Sequence, residues 1–234
     1  MTPPRLIQCA QNTPEWHAAR LGYITASGVA DLLTPPKSGK GMSKTAQSYV
    51  NKLARARIFG VPDRERPCWQ FDRGHTFEPI ARAAYEQHTG NTVEQTGFWL
   101  RDLTGEGHFL GASPDGLIHD DIIEIKTRME AAQWEAIMSG EVPEDAQLQI
   151  QAQLLATARL GCHYISFCDG MHLFVTPVLA CPDWQQRIIA AVVMGELAIR
   201  QAVETYRVKS AGMMLTERIP DADELETLGH HATL

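Results

Sequence analysis

Residues Ile122-Ile123-Glu124-Ile125-Lys126 set two opposite charges inside a run of β-branched side chains. Such a run favours a strand, and a strand sends successive side chains to opposite faces. Glu124 and Lys126 therefore share one face, while Ile123 and Ile125 point the other way, into a core. Upstream, Gly116-Leu117-Ile118 is also β-rich, and His119-Asp120-Asp121 between the two suits a tight turn. The stretch from Gly111 to Arg128 reads as a hairpin with Pro114-Asp115 at its mouth. Folding it back brings Asp115 beside Glu124, so two carboxylates and one ammonium meet on one small surface.

Such a trio has a chemical use. Carboxylates bind Mg²⁺, which takes oxygen ligands and keeps several waters. The ion acidifies a bound water and stabilises charge on a phosphate under in-line attack. Lys126 can orient or deprotonate that water, or neutralise the transition state. The same residues also fit an ordinary polar hairpin with a surface Glu–Lys pair. The Gly-x-Ser-Pro-Asp-Gly lead-in and the apolar setting of Glu124 favour the functional reading.

The chain has 234 residues, enough for one sizeable core, and its 44% apolar and 21% charged content fits a globular protein. No apolar run approaches the length of a membrane span, and the N-terminus lacks the apolar stretch of a signal peptide. Five cysteines (Cys9, Cys68, Cys162, Cys168, Cys181) without CxxC spacing argue for a reducing cytoplasm and against a zinc or iron–sulfur site. Net charge is −7, unevenly spread: residues 1–76 carry eleven Lys/Arg against five Asp/Glu, and residues 77–234 carry ten against twenty-three. A basic front on an acidic body suits a protein that meets a polyanion on one local surface; compositional drift gives the same numbers.

Thr13-Pro14-Glu15 starts a helix carrying Trp16, His17 and Arg20 and ending near Gly22. Ser27 is placed to cap a second short helix through Leu33. Arg20 and Ser27 flank a turn and can converge on a phosphate. Residues 34–41 (TPPKSGKG) form a loop whose Lys37 and Lys40 can touch nucleic acid; it is not a P-loop, since GxxxxGK(S/T) is not met. Ser43 caps a basic helix to about Phe59, with Gly60 as its stop. From Phe71 to His88 the pattern is helical, placing His75 and Glu78 on one face. Glu78 is a candidate third carboxylate, and His75 a further ligand or phosphate contact.

Thr92–Leu100 and Gly107–Gly111 read as strands, Glu130–Ser139 as a helix, and Pro143 opens another through about Leu160. That helix carries Gln147, Gln149, Gln151 and Gln153, at a density that suggests one or two reach the active face. Cys162–Cys168 and Met171–Val178 form a hairpin about Asp169-Gly170. A long amphipathic helix runs from Trp184 to about Tyr206, followed by a polar tail. This order predicts an α/β (α+β) layer structure, a mixed central sheet flanked by helices, with no internal repeat or linker.

Asp115 followed by Glu124-x-Lys126 resembles the PD-(D/E)xK nuclease superfamily, and more narrowly the phage lambda exonuclease and YqaJ-type viral alkaline exonuclease family. Trp16-His17-x-x-Arg20-Leu21-Gly22-x-Ile24-Thr25-Ala26-Ser27 is similar to that family's opening motif. The loop Pro36–Lys40, Gly74-x-x-x-Glu78, Ser113–Leu117 and Gln151-x-Gln153 follow in family order, spanning residues 16–153. The resemblance implies a restriction-endonuclease-like core; the chain reads as one nuclease domain, with a basic, mostly helical part over 1–76, a catalytic core over 77–178, and a C-terminal helix and tail over 179–234. It implies a metal-dependent exonuclease that degrades one strand of linear duplex DNA from a phosphorylated 5′ end to mononucleotides, leaving a 3′ strand for recombination by annealing. Asp115, Glu124 and the Ile125 carbonyl would hold Mg²⁺ (two ions, with Mn²⁺ able to substitute), Lys126 would serve the water, and Glu78 would assist. Arg20, Ser27, Ser113 and Gln151 match phosphate- or end-binding positions, with Trp16 and Gln153 in the same motifs. Lys37 aligns with a basic loop residue near the strand fork, though it lacks the planar fork of the Arg that is usual there. A homotrimeric toroid and a single-strand annealing partner are also implied, and no membrane. An endonuclease or nickase on the same hairpin, and a non-catalytic DNA-binding recombination adaptor, are the competing readings.

Overall fold

A computed structural model describes residues 1–37, 39–62 and 69–219, with the side chains of 69–73 and 75 left out. The chain divides into two units, Met1–Val203 and Glu204–Leu234. The first opens with strand β1 (Arg5–Ile7), helix α1 (Pro14–Arg20) and strand β2 (Ile24–Thr25), followed by a 3-10 turn (Ala26–Gly28) and helices α2 (Val29–Leu33), α3 (Lys44–Phe59) and α4 (Trp69–Thr89). Strands β3 (Phe98–Asp102), β4 (Phe109–Ala112), β5 (Gly116–Ile118) and β6 (Asp121–Thr127) come next, then helices α5 (Glu130–Ser139) and α6 (Glu144–Thr157), strands β7 (Gly161–Phe167) and β8 (Phe174–Leu179), and helix α7 (Pro182–Lys209). In the second unit, α7 ends in a turn where the Ser210 N–H bonds to the Tyr206 carbonyl.

Most helix limits follow from local chemistry. The Thr13 hydroxyl accepts the Trp16 N–H at the start of α1, and Ser43 accepts the Ala46 N–H at the start of α3. Gly60 and Gly140 end α3 and α5 in left-handed conformations. Several limits differ from the sequence expectation: α4 and α7 run longer at both ends, and the strands expected from Thr92 and Met171 begin at Phe98 and Phe174. Ser27 does not cap α2: it lies inside the 3-10 turn, and Gly28 stands at the cap position with no side-chain bond. Helix α6 stops at Thr157, because Ala158 turns left-handed at φ 57°.

The expected central sheet is two four-stranded sheets, ordered β1-β3-β4-β2 and β5-β6-β7-β8. Both are mixed. β2–β4 and β6–β7 are parallel and the other pairs antiparallel. An isolated bridge joins Glu94 and Leu117. One face of the second sheet buries Ile123, Ile125 and Ile165 against Ala81 and Tyr85 of α4; the other buries Ile122, Cys162 and Tyr164 against Ala146, Ile150 and Leu154 of α6. Strand β6 is thus an interior strand held between two helices, and it carries the charged pair.

Candidate active site

Asp115 precedes β5, where Gly116 pairs with Ile123 of β6. Its N–H donates to the Ile123 carbonyl at 3.1 Å, and its side-chain Oδ2 accepts the Ile125 N–H at 2.6 Å. The two bonds staple Asp115 along the edge of β6 beside Glu124. In a strand the N–H and C=O of one residue face the same side, so the Ile125 carbonyl also faces the Asp115 edge.

Glu124 is only 1% exposed. A carboxylate so deep needs partners for both oxygens. Lys126 Nζ lies 2.6 Å from Oε1, Gln149 Nε2 donates to Oε1 at 2.7 Å, and Gln153 Nε2 donates to Oε2 at 2.7 Å. Lys126 also donates to Gln149 Oε1 at 2.8 Å. Gln149 and Gln153 are four apart on α6, hence on one face. Burial by itself would lower the Lys126 ammonium; the adjoining Glu124 carboxylate, with Asp115, raises it on balance. Burial pushes the Asp115 carboxyl well above the ordinary carboxylate range, and the charges of Glu124 and Glu78 push it further.

Glu78 reaches this cluster from α4. Its Oε1 accepts from Arg82 Nη2 at 2.5 Å, and the same nitrogen donates to the Asp115 main-chain carbonyl at 3.2 Å. Glu78, Arg82 and Asp115 line a cavity of about 490 Å³ with Gln8, Gln11 and Thr96. Gln11 Nε2 bridges the carbonyls of Thr96 at 3.1 Å and Pro114 at 2.7 Å, tying the N-terminal segment to the Pro114-Asp115 turn.

All the candidate metal donors are oxygens: the Asp115, Glu124 and Glu78 carboxylates and the Ile125 carbonyl. This donor set suits a hard divalent cation. Among the described residues no three acidic, His or Cys side chains close into a ready cage; Glu78 is turned to Arg82, and Glu124 to Lys126 and the two glutamines. The His75 side chain lies outside the described residues.

A second group forms around the opening motif. The Trp16 indole N–H donates to Ser113 Oγ at 2.8 Å, and the Arg20 guanidinium lies 3.9 Å over the Trp16 ring. Ser113 is two residues before Asp115, so this contact anchors α1 next to the carboxylates. Ser27 is exposed and shares a 3.3 Å hydroxyl contact with Thr25, whose N–H donates to the Tyr49 hydroxyl.

Three expected contact residues are placed elsewhere. Trp16 is 7% exposed and packs on Phe98 and Leu100, so it positions Ser113 and offers no open face to a base. Gln151 is fully buried on the other side of α6: Nε2 donates to the Leu179 carbonyl at 2.8 Å and Oε1 accepts the Cys181 N–H at 2.8 Å. Gln153, 1% exposed, is spent on Glu124. Lys37 stands exposed on the turn between α2 and α3, as does Lys40 nearby. Gln149, Arg82 and Gln11 belong to the site but were not singled out by the motifs. The i,i+4 spacings Glu78/Arg82 and Gln149/Gln153 were the available signal; Gln11 had none.

Residues 15–159 match the YqaJ-like viral recombinase domain. Among solved structures, the chain is similar to LHK-Exo in complex with dAMP, at 33% identity over 86% of this chain and 100% of that one, TM-score 0.74. It is likewise similar to a second structure of that protein, an alkaline exonuclease from Laribacter hongkongensis, at 31% identity over the same shares, TM-score 0.73. A phage related exonuclease from Haemophilus somnus 129PT shares the fold at 14% identity over 79% of this chain and 96% of that one, TM-score 0.58. No curated protein matches. The matched span runs from the first helix to the end of α6 and takes in every residue of the carboxylate cluster, and by it the chain belongs to the YqaJ-like viral recombinase domain family.

Proposed function

We propose that this protein is a metal-dependent exonuclease that digests one strand of linear duplex DNA from its 5′ end to mononucleotides, leaving a 3′ single strand for recombination by annealing. The observation that carries this reading is the meeting of Asp115, Glu124 and Lys126 at one hairpin, with Glu78 beside them. Family membership and the similarity to an alkaline exonuclease support a nuclease role, and the dAMP in that relative is of the class that mononucleotide release would yield.

Asp115, Glu124, the Ile125 carbonyl and Glu78 would hold two Mg²⁺ ions, or Mn²⁺ in their place. Bound there, the metal supplies an acidified water and neutralises charge on the scissile phosphate. Lys126, fixed by Glu124 and Gln149, orients the attacking water and offsets charge building on the phosphate oxygens. Arg20, Ser27 and Ser113 hold the 5′-phosphate, the guanidinium by charge-assisted hydrogen bonds. Gln149 takes the place at the reacting end that the motif gave to Gln151, and Gln153 acts through Glu124. Lys37 meets the duplex where its strands part. A ring of three copies would keep the enzyme on its track, and a single-strand annealing protein would load on the exposed 3′ strand.

The test is digestion of linear duplex with 5′-phosphate or 5′-hydroxyl ends, beside a closed circle and a Lys126→Ala variant, in Mg²⁺, Mn²⁺ and chelator. Mononucleotides from the phosphorylated linear duplex, with circles intact and the variant inactive, are expected. Equal rates on both ends would remove the phosphate role of Arg20, Ser27 and Ser113. Cut circles would make the protein an endonuclease, and bound but uncut DNA in either metal would leave the adaptor.

A further inference from the structure

We propose that Arg82 is a positioning residue that sets the distance between the α4 and hairpin carboxylates and thereby builds the metal-binding geometry; this rests on the reading above. One nitrogen, Nη2, uses its hydrogens on two elements, the Glu78 carboxylate and the Asp115 main-chain carbonyl. It therefore ties a helix side chain to the residue that begins β5.

Two further observations support the assignment. The first is charge. Three carboxylates, Glu78, Asp115 and Glu124, gather here against two cations, Arg82 and Lys126. Lys126 pairs with Glu124, and Arg82 pairs with Glu78. Without Arg82, Glu78 would be repelled by Asp115 and free to swing toward solvent, since its side chain is already 30% exposed. The second is an unmet donor. Arg82 is 14% exposed, and its Nε is buried with no hydrogen-bond partner. A buried donor without a partner costs about 1–3 kcal/mol, so this guanidinium is not arranged for its own satisfaction. Its position follows from what its Nη2 edge does. The bond to Arg82 takes one Glu78 oxygen, and a carboxylate has a second with which to reach an ion.

The test compares wild type with Arg82→Gln, Arg82→Ala and Arg82→Lys, and with Glu78→Gln alone and combined with Arg82→Gln. Calorimetry reads Mn²⁺ binding to the DNA-free protein. Cleavage assays read the Mg²⁺ concentration for half-maximal rate and the KM for DNA. Thermal melting checks the fold. Arg82→Gln should weaken Mn²⁺ binding and raise the half-saturating Mg²⁺ by roughly 10–100-fold, with KM for DNA little changed. Arg82→Lys, which keeps the charge without the planar fork, should fall between. The double variant should bind Mn²⁺ no worse than Glu78→Gln alone, because both remove one coupled unit. Unchanged Mn²⁺ affinity in folded variants would overturn the proposal, as would a rise confined to KM, or wild type that binds no Mn²⁺. Wild type that binds Mn²⁺ but cuts no DNA would sink the nuclease reading instead, and the calorimetric comparison would still decide the role of Arg82.

Discussion

Asp115 and Glu124 are neighbouring carboxylates in very different electrical settings. Glu124 has a cation and two amide donors on its oxygens; Asp115 has one backbone N–H on Oδ2. Burial and the charges of Glu124 and Glu78 raise the Asp115 carboxyl. A carboxyl raised above its unfolded value of about 3.9 binds its proton more tightly when folded. Its contribution to stability is present below that value and is lost as pH rises through the folded one. At neutral pH the metal-free protein therefore carries a penalty at Asp115. Asp115→Asn keeps an acceptor for the Ile125 N–H and removes the charge. It should raise the melting temperature in chelator by a few degrees, about 2–4 °C per kcal/mol for a chain of this size, while abolishing cleavage. A fall in melting temperature would refute the penalty.

In α6 an offset of two residues, just over half a turn, separates the glutamines that meet Glu124 from the one that does not. Four glutamines alternate along it, yet residues two apart on a helix point to different faces. Gln149 and Gln153 face β6, whereas Gln151 latches the end of β8 to the following turn. The two faces predict opposite phenotypes. Gln149→Ala should lower the cleavage rate by roughly 10²-fold, the scale of a lost transition-state donor, with a small change in melting temperature. Gln151→Ala leaves the Cys181 N–H without its acceptor and should cost about 1–3 kcal/mol of stability, with cleavage by the folded fraction retained. Matched rate assays and denaturant titrations separate the two. The end of α6 was also hidden from sequence. Ala158 is the best of helix formers by propensity, and nothing local announces its left-handed turn.

Across the whole molecule, acid sensitivity gathers at two carboxylates outside the β5–β6 hairpin, Asp102 and Glu196. Asp102, after burial has pushed its carboxyl up, is brought down to about 2 by backbone N–H donors from Gly107, Thr104, Gly105 and His108. Glu196 is pushed up by burial and brought below its ordinary value by Arg57 and Arg200; its bidentate pair with Arg57, at 2.7 and 2.6 Å, joins α7 to α3. Groups lowered in the fold contribute stability above their unfolded values, about 3.9 for Asp and 4.3 for Glu, and lose it as pH falls through the folded ones. Melting temperature should therefore drop steeply below about pH 4, and Asp102→Asn should be less stable at neutral pH with a shallower acid decline. A parallel decline in both proteins would show that Asp102 does not set it. The fold itself was partly legible. Strands and helices were found from period and caps, but β1 is three residues long, too short to carry a pattern. The single sheet expected was two, because pairing partners are chosen by contacts such as Leu6 with Trp99, remote in sequence.

The β5–β6 hairpin could be read from local sequence, since alternation along a β-branched run puts Glu124 and Lys126 on one face and a turn returns Asp115 beside them. The caps of α1 and α3 could be read the same way, and the family through motifs in order. Long-range packing chose which glutamines meet Glu124, brought Trp16 to Ser113 across 97 positions of chain, and joined Glu78 to Asp115 through Arg82. Residue spacing sets which side chains share a face of an element. The direction that face turns is chosen when apolar faces of remote segments pack together, and that choice is not written in any local window of sequence.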